Sequence, residues 1–300
     1  MSEQKEAFIY ENDLKFIKKN DININSPKIF FDNEVTRDNL NSNSISIEYR
    51  LKECKKNSST SLDLSLMNIK QEEIFTLNID YSKILYLFLN DNNLSGEINL
   101  TKFNNLEVLD IENNNITKII LPKSLKELVI NNNKLTNLPT NINPIRLKAN
   151  KNSLTNLPEA YTDIENLELS YNNITRINNK KNLRRLIIDS NPIELIESLE
   201  SLTYLDISDT NQVKLENLPS IKNLVANSTK LTEIPNFKSL EVIEVINTPI
   251  KKIQYFENFD IILCSYNLTK NISSKFVDLG KAYIKVKSNN IICISREEIN

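Results

Sequence analysis

Residues 106–116 read LEVLDIENNNI, and their pattern of three leucine-like residues, an asparagine and a final aliphatic residue recurs through most of the chain. The same spacing occurs in LKELVINNNKL at 125–135, IENLELSYNNI at 164–174 and LRRLIIDSNPI at 183–193. Neighbouring copies begin about 19 residues apart, which is typical of a chain built from repeated structural units. Because each unit buries its apolar face against its neighbours, the sequence predicts a solenoid.

The fourth position of the pattern L-x-x-L-x-L-x-x-N-x-L provides one aliphatic anchor for each repeat. These anchors are Leu62, Leu87, Leu109, Leu128, Leu147, Leu167, Leu186, Leu205, Leu224, Ile243, Ile262 and Ile284. They predict roughly eleven or twelve repeats, with irregular spacing at the two ends, where solenoid repeats are usually atypical. We therefore place the solenoid at residues 58–292, an N-terminal capping or poorly ordered segment at 1–57 and a tail at 293–300.

The alternation Leu-x-Leu has the period of a β-strand, so each repeat is predicted to add one short strand to a curved parallel sheet on the concave face. The return path of each repeat is too short for a full helix and its two turns. Pro139, Pro158 and Pro235 recur within it and favour extended backbone. Extended and 3₁₀ segments are therefore expected on the convex face.

The ninth position of the pattern is polar from the second repeat onward and should form a ladder along the solenoid. Its members are Asn92, Asn114, Asn133, Asn152, Asn172, Asn191, Thr210, Thr229, Thr248 and Asn267. An inward asparagine amide or threonine hydroxyl can donate and accept hydrogen bonds where the backbone turns away from the sheet. Because threonine has the shorter side chain, it should reach less far than asparagine.

These units resemble the short leucine-rich repeats, with an LPxxL segment, that are best known from bacterial effector and surface proteins and also occur in large DNA viruses and protists. The resemblance covers roughly residues 58–292 and is specific for the fold, because the motif recurs in register. It implies a scaffold for protein–protein interaction whose concave face binds another protein. This implication about function is an analogy at the level of the fold.

Composition argues against several classes of enzyme and cofactor site. The 300 residues include no histidine, two glycines and three cysteines, Cys54, Cys264 and Cys293, that lie far apart in the sequence. The missing histidine excludes Ser-His-Asp and Cys-His sites, and two glycines cannot form a glycine-rich phosphate loop. We therefore expect no enzyme activity, no cofactor and no metal site, and we interpret the cysteines as free thiols.

Charge and hydropathy indicate the cellular setting. The formal net charge of −2 disfavours a nucleic-acid partner, which would require a basic face. The short lysine pairs, such as Lys55-Lys56 and Lys180-Lys181, are interpreted as solvated loop charges. No signal peptide or long apolar stretch is evident. The sequence therefore predicts a monomeric protein that lies in the cytoplasm of the producing or infected host cell and does not contact a membrane.

The N-terminal segment allows two interpretations. An imperfect apolar stripe within Glu6–Lys19 could form a helix that covers the open end of the solenoid. Alternatively, residues 1–57 could be a second contact surface, such as an F-box-like helix pair, that makes the protein a substrate-recognition adaptor for a ubiquitin ligase or a similar complex. No Leu-Pro opening supports this alternative.

The outward positions of the strands are the candidates for partner binding. Tyrosine and arginine are enriched at interface hot spots because they bury a large area and keep a polar group. The central candidate group consists of the strand residues Arg146, Lys148, Arg185, Ile187 and Tyr204, with Tyr171 beside them at the eighth motif position. The structural alternative is that exposed strand positions simply tolerate residues with high strand propensity. Carboxylate pairs on the same face, Asp110 with Glu112 and Asp206 with Asp209, are interpreted as solvated acidic surface.

Overall fold

The computed structural model describes residues 46–56, 58–211, 213–252, 261–265, 283–287 and 292–294. The helical elements are α1 (Ile47–Lys56), α2 (Gln71–Ile74) and a 3₁₀ helix (Tyr81–Lys83). The strands, in chain order, are β1 (Ser61–Asp63), β2 (Tyr86–Phe88), β3 (Ser95–Asn99), β4 (Val108–Asp110), β5 (Asn115–Ile120), β6 (Glu127–Val129), β7 (Arg146–Lys148), β8 (Asn166–Glu168), β9 (Arg176–Asn178), β10 (Arg185–Ile187), β11 (Leu195–Glu197), β12 (Tyr204–Asp206), β13 (Lys214–Glu216), β14 (Asn223–Val225), β15 (Val242–Val245), β16 (Ile261–Ser265), β17 (Tyr283–Lys287) and β18 (Ile292–Ile294).

Thirteen strands within the described residues form the main sheet, in the order β1-β2-β4-β6-β7-β8-β10-β12-β14-β15-β16-β17-β18. The pairings are parallel except for the last, between β17 and β18, which is antiparallel. Each anchor pairs with the next one, from Leu62 opposite Leu87 to Ile262 opposite Ile284. The predicted solenoid with a curved parallel sheet on its concave face is therefore confirmed.

Extended segments return the chain along the convex side. Two small parallel sheets lie there, one of β3 and β5 and one of β9, β11 and β13. The three strands of the second sheet are each followed by a residue with left-handed backbone, Asn179, Ser198 and Asn217, at φ between 52° and 56°. These turns reverse the chain without a helix, so the prediction of extended and 3₁₀ geometry on this side is confirmed.

The core is one continuous column of mostly aliphatic side chains, to which the fourth and sixth motif positions of each repeat contribute together with residues of the return segments such as Phe103 and Tyr161. Leu109 and Ile111 of a typical repeat are completely buried, as are Leu186 and Ile188. The residue between each inward pair faces outward and is partly exposed. Burying one leucine side chain contributes about 1.5–3 kcal/mol, so a one-residue slip of any strand would lose the contribution of both inward residues.

Helix α1 covers the first repeat. Ile47, Leu51 and Cys54 follow one another at helical spacing and pack against the core. Arg50, on the same helix, forms an ion pair with Asp63 of β1. A helical cap is therefore present at Ile47–Lys56, whereas the apolar stripe within Glu6–Lys19 lies outside the described residues, as does most of the segment proposed as an adaptor surface.

Candidate functional site

The inward asparagines connect successive repeats through hydrogen bonds. The amide of Asn172 donates to the carbonyl oxygens of Leu169 in its own repeat and Ala149 in the preceding repeat, both at 2.9 Å. Its Oδ1 atom accepts the backbone N–H of Leu154, also from the preceding repeat, at 3.0 Å. Asn114, Asn133, Asn152 and Asn191 make the same set of contacts. Each of these side chains thus replaces sheet partners that the turning backbone has lost.

The threonine members of the ladder make shorter connections. Thr210 and Thr229 donate only to carbonyl oxygens of their own repeats, those of Ile207 at 2.6 Å and Ala226 at 3.0 Å. The hydroxyl of Thr248 donates to Val245 in the same way at 3.3 Å. The side chain is too short to span the distance between coils, so the hydrogen bonds between repeats that asparagine supplies are missing there. Asn267 lies outside the described residues.

A second polar ladder lies two residues before the first, on the outward edge of the sheet, and the sequence analysis missed it. Asn131 Oδ1 accepts the backbone N–H of Asn150 at 2.9 Å, and Asn150 Oδ1 accepts that of Ser170 at 2.7 Å. Ser170 in turn donates its hydroxyl to Asp189. The signal was present in the sequence, because asparagine also recurs at the seventh motif position. This ladder fixes the backbone at the edge of the concave face.

Five of the six candidate residues lie together on the concave face. Arg146 and Lys148 belong to β7, Arg185 and Ile187 to β10, and Tyr204 to β12, with β8 between the first two strands. The third-position side chains of these strands are in register, with Arg185 directly opposite Tyr204. Four neighbouring strands span roughly 15 Å at the usual strand separation.

Arg185 and Tyr204 form a stacked pair on this face. The guanidinium carbon of Arg185 lies 3.9 Å from the centroid of the Tyr204 ring, within the range of a cation–π interaction. Burial against the face and the nearby Asp206 carboxylate raise the pKa of the Tyr204 hydroxyl, so it remains protonated at neutral pH. The pair presents a large planar group that combines hydrogen-bond donors with apolar surface.

The two basic residues of β7 are neutralised by carboxylates of neighbouring strands. Arg146 forms an ion pair with Glu127 of β6. Lys148 lies 3.3 Å from Glu168 of β8. Both pairs are partly exposed and therefore contribute little to stability, on the order of 0–1 kcal/mol each. They make the centre of the face polar but nearly uncharged.

Tyr171, the sixth candidate residue, lies beside the face, in the turn that follows β8. Its backbone is left-handed, with φ of 56°, and its side chain is 56% exposed. Most equivalent residues, such as Asp91, Asn113, Asn132 and Ser190, have the same conformation and are small and polar, whereas Lys151 in the preceding repeat is long and also left-handed, with φ of 54°. Left-handed backbone is costly for a bulky side chain, and Lys151 near the ring, at 5.9 Å, gives little compensation. Tyr171 therefore stands at the edge of the strand face, beside the strands, which is where its eighth motif position places it.

Two carboxylates on the concave face lie in apolar surroundings. Asp110 of β4 lies between Phe88 and Val129 of the adjacent strands, and burial raises the pKa of its carboxyl to about 6, with Glu112 nearby. Asp206 of β12 has the same arrangement, and burial also raises its pKa. The interpretation of this region as simple solvated acidic surface is therefore wrong for these two residues.

The side chains of Cys264 and Lys180 are both buried. Cys264 faces inward from β16, and burial raises the pKa of its thiol to about 11, so it is protonated at neutral pH. Lys180 is only 6% exposed, and its ammonium group donates to the carbonyl oxygens of Pro158 at 3.0 Å and Glu159 at 3.2 Å. The interpretation of Lys180 as a solvated loop charge is therefore wrong.

Comparison with solved structures identifies the fold. The leucine-rich repeat domain of APL1B superposes with a TM-score of 0.61 over 78% of this chain and 77% of that chain, at 15% sequence identity. This chain has the leucine-rich repeat fold. The functional domain of InlJ from Listeria monocytogenes is also similar to the leucine-rich repeats described here, with a TM-score of 0.52 and 21% identity over 76% of this chain. This chain spans 59% of the length of that InlJ chain.

At these identities the similarity concerns the leucine-rich repeat fold and not a shared function. The InlJ domain is described as including a cysteine ladder, whereas this leucine-rich repeat chain has only three cysteines and builds its ladder from asparagine and threonine. No protein-family model matches the sequence, and no curated protein sequence matches it. Within the described residues, none of the helices has the length and apolar character needed to cross a bilayer.

Proposed function

We propose that this leucine-rich repeat chain is a non-enzymatic scaffold that binds a partner protein through its concave face. The observation that carries the proposal is the group formed by Arg185, Ile187 and Tyr204 on two adjacent strands, with Arg146 and Lys148 beside it. Hot spots of protein interfaces combine arginine and tyrosine with an apolar contact in this way. The parallel sheet holds these side chains on rigid backbone, so little conformational entropy would be lost on binding.

The exposed side chain of Tyr171, at the edge of the concave face, supports the same proposal. A large aromatic side chain is kept exposed in a backbone conformation that suits asparagine better, and strained backbone often accompanies functional sites. The nearly neutral centre of the face and the overall charge of −2 favour a protein over a nucleic acid as the partner. We propose that the chain binds it as a monomer.

The test is affinity purification from the native or host cell, followed by mass spectrometry. The full chain would be compared with the variant Tyr171→Ala/Arg185→Ala and with a control, Thr155→Ala/Lys181→Ala, which alters exposed residues away from the main sheet. The proposal predicts that partner proteins are lost with the first variant and retained with the control. An identical set of partners for all three proteins would contradict it.

A further inference from the structure

The fifth-position side chains of the main sheet form a repeating arrangement of apolar and acidic residues. Across β2, β4 and β6 the order is Phe88, Asp110, Val129. Across β10, β12 and β14 the order is Ile187, Asp206, Val225. We call these the first and second triplets. Between them lie Lys148 and Glu168, which neutralise each other at 3.3 Å. Each triplet thus has one acidic side chain between two apolar side chains.

Within the described residues, neither central acid forms an ion pair with a lysine or arginine. Each carboxylate instead accepts a backbone N–H two residues later, that of Glu112 at 3.1 Å for Asp110 and that of Ser208 at 2.9 Å for Asp206, and Asp206 is also hydrogen-bonded by the Ser208 side chain. Other carboxylates lie near both acids and add repulsion. They are Glu112, Asp91 and Asp63 at the first triplet, of which Asp63 is paired with Arg50, and Asp189 and Glu244 at the second.

These surroundings make both ionised carboxylates unfavourable in the free protein. The flanking apolar side chains reduce hydration, and the nearby acids add repulsion, which is why the pKa of each carboxyl is raised. A positive charge brought to the triplet would remove this cost, and the backbone N–H would keep the carboxylate in position for it. Apolar groups of the partner on either side of that positive charge would pack on the two apolar side chains that flank the carboxylate.

We infer that the concave face binds a polypeptide segment that places a lysine or arginine against Asp110 and another against Asp206, with apolar side chains beside each. The inference rests on the proposed function and specifies the chemistry of the partner. Five strand steps separate the two acids, about 24 Å at the usual strand spacing. That distance corresponds to about 16 residues of helix or about 7 residues of extended chain.

The test uses a displayed library of random 20-residue peptides as the probe, selected on the full chain. The inference predicts that selected peptides are enriched in lysine, arginine and apolar residues relative to the unselected library. For the most enriched peptide, Asp110→Asn/Asp206→Asn should weaken the measured Kd by at least about tenfold, since two charge contacts are lost. Asparagine can still accept the backbone N–H, and thermal unfolding would confirm that this variant folds.

The matched control is Glu194→Gln/Glu233→Gln, which removes two exposed acids outside the main sheet and should change the Kd by less than about twofold. Peptides that lose binding with Arg185→Ala/Tyr204→Ala but show no basic enrichment would overturn this inference and leave the proposed function in place. Equal Kd values for the wild type and the Asp110→Asn/Asp206→Asn variant would overturn it in the same way. If no selected peptide depends on Arg185 and Tyr204 or on Asp110 and Asp206, the proposed function and the inference both fail.

Discussion

The guanidinium of Arg185 stacks over the ring of Tyr204 at 3.9 Å, and the two residues stand directly opposite each other on β10 and β12. A cross-strand pair of this kind orders two large side chains that would otherwise be mobile on the surface. The concave face therefore presents an arginine that is already oriented before any partner arrives. Preorganisation of this kind lowers the entropic cost of binding.

Replacement of Arg185 by alanine should lower the free energy of unfolding by only about 0.5–1 kcal/mol, the usual size of a cation–π contact at a partly exposed site. Urea denaturation would measure the change. Arg185→Lys is the matched variant, because it keeps the charge and loses the planar stacking group. A loss above about 3 kcal/mol for the alanine variant would instead assign Arg185 a mainly structural role.

Replacement of Tyr171 by asparagine should raise the free energy of unfolding by about 0.5–1 kcal/mol. Asparagine tolerates the left-handed backbone at φ of 56° better than tyrosine does, and the exposed ring has little packing to lose. Thermal unfolding would measure the change. The reciprocal variant Asn132→Tyr, at the equivalent turn, should lower stability. Destabilisation by Tyr171→Asn would show that the ring makes contacts that stabilise the fold.

Replacement of Asn172 by leucine should lower the free energy of unfolding by about 1–3 kcal/mol, because backbone groups of two repeats lose their partners. Thr229→Val removes only hydrogen bonds within one repeat, the one that the hydroxyl donates to Ala226 and the longer one that it accepts from the Leu231 N–H, and should cost less, about 0.5–1 kcal/mol. Both variants would be compared by chemical denaturation. Equal costs would contradict the conclusion that asparagine connects repeats and threonine does not.

The ionisation of Asp110 should make stability depend on pH. Its pKa is raised from 3.8 to about 6 in the folded state, so the folded protein binds this proton more tightly than the unfolded chain does. The stabilising contribution is present below pH 4 and is lost as the pH rises through about 6. Asp110→Asn should therefore be as stable as the wild type at pH 4 and more stable by about 1–3 kcal/mol at pH 7.

Denaturation at a series of pH values between 4 and 7 would measure this difference. Glu194→Gln is the control, since that carboxyl is exposed on the other side of the solenoid. A constant difference between Asp110→Asn and the wild type across the series would show that the carboxyl is not destabilised by its surroundings.

The sequence was sufficient to predict the repeats because both their spacing and their inward residues are periodic. Leu109 and Ile111 recur as a pair in each repeat, and a shift of one residue would expose them, so the register follows directly from the pattern. The Asn172 position was predictable for the same reason. The second ladder, with Asn131 and Asn150, recurs with the same period and could have been recognised in the same way.

The candidate site was less predictable because it depends on contacts between particular side chains. The stacking of Arg185 on Tyr204 and the isolation of Asp110 depend on which residues occupy the neighbouring strands, and each strand taken alone does not show them. The motif places Tyr171 beside the strands, at the eighth position, but does not specify the left-handed backbone of that turn. Lys180 appeared solvated because adjacent lysines usually are, whereas its ammonium group fits against two carbonyl groups of the preceding repeat.

Site-specific photo-crosslinking would show whether the partner protein binds at the concave face. A photoreactive phenylalanine analogue would replace Ile187 on the concave face, or Thr175 on the convex side as the control, in the full chain expressed in its native or host cell. Irradiation should crosslink the partner protein to the variant that carries the analogue at position 187 and not to the variant that carries it at position 175. Crosslinking of that partner only from position 175 would contradict the account.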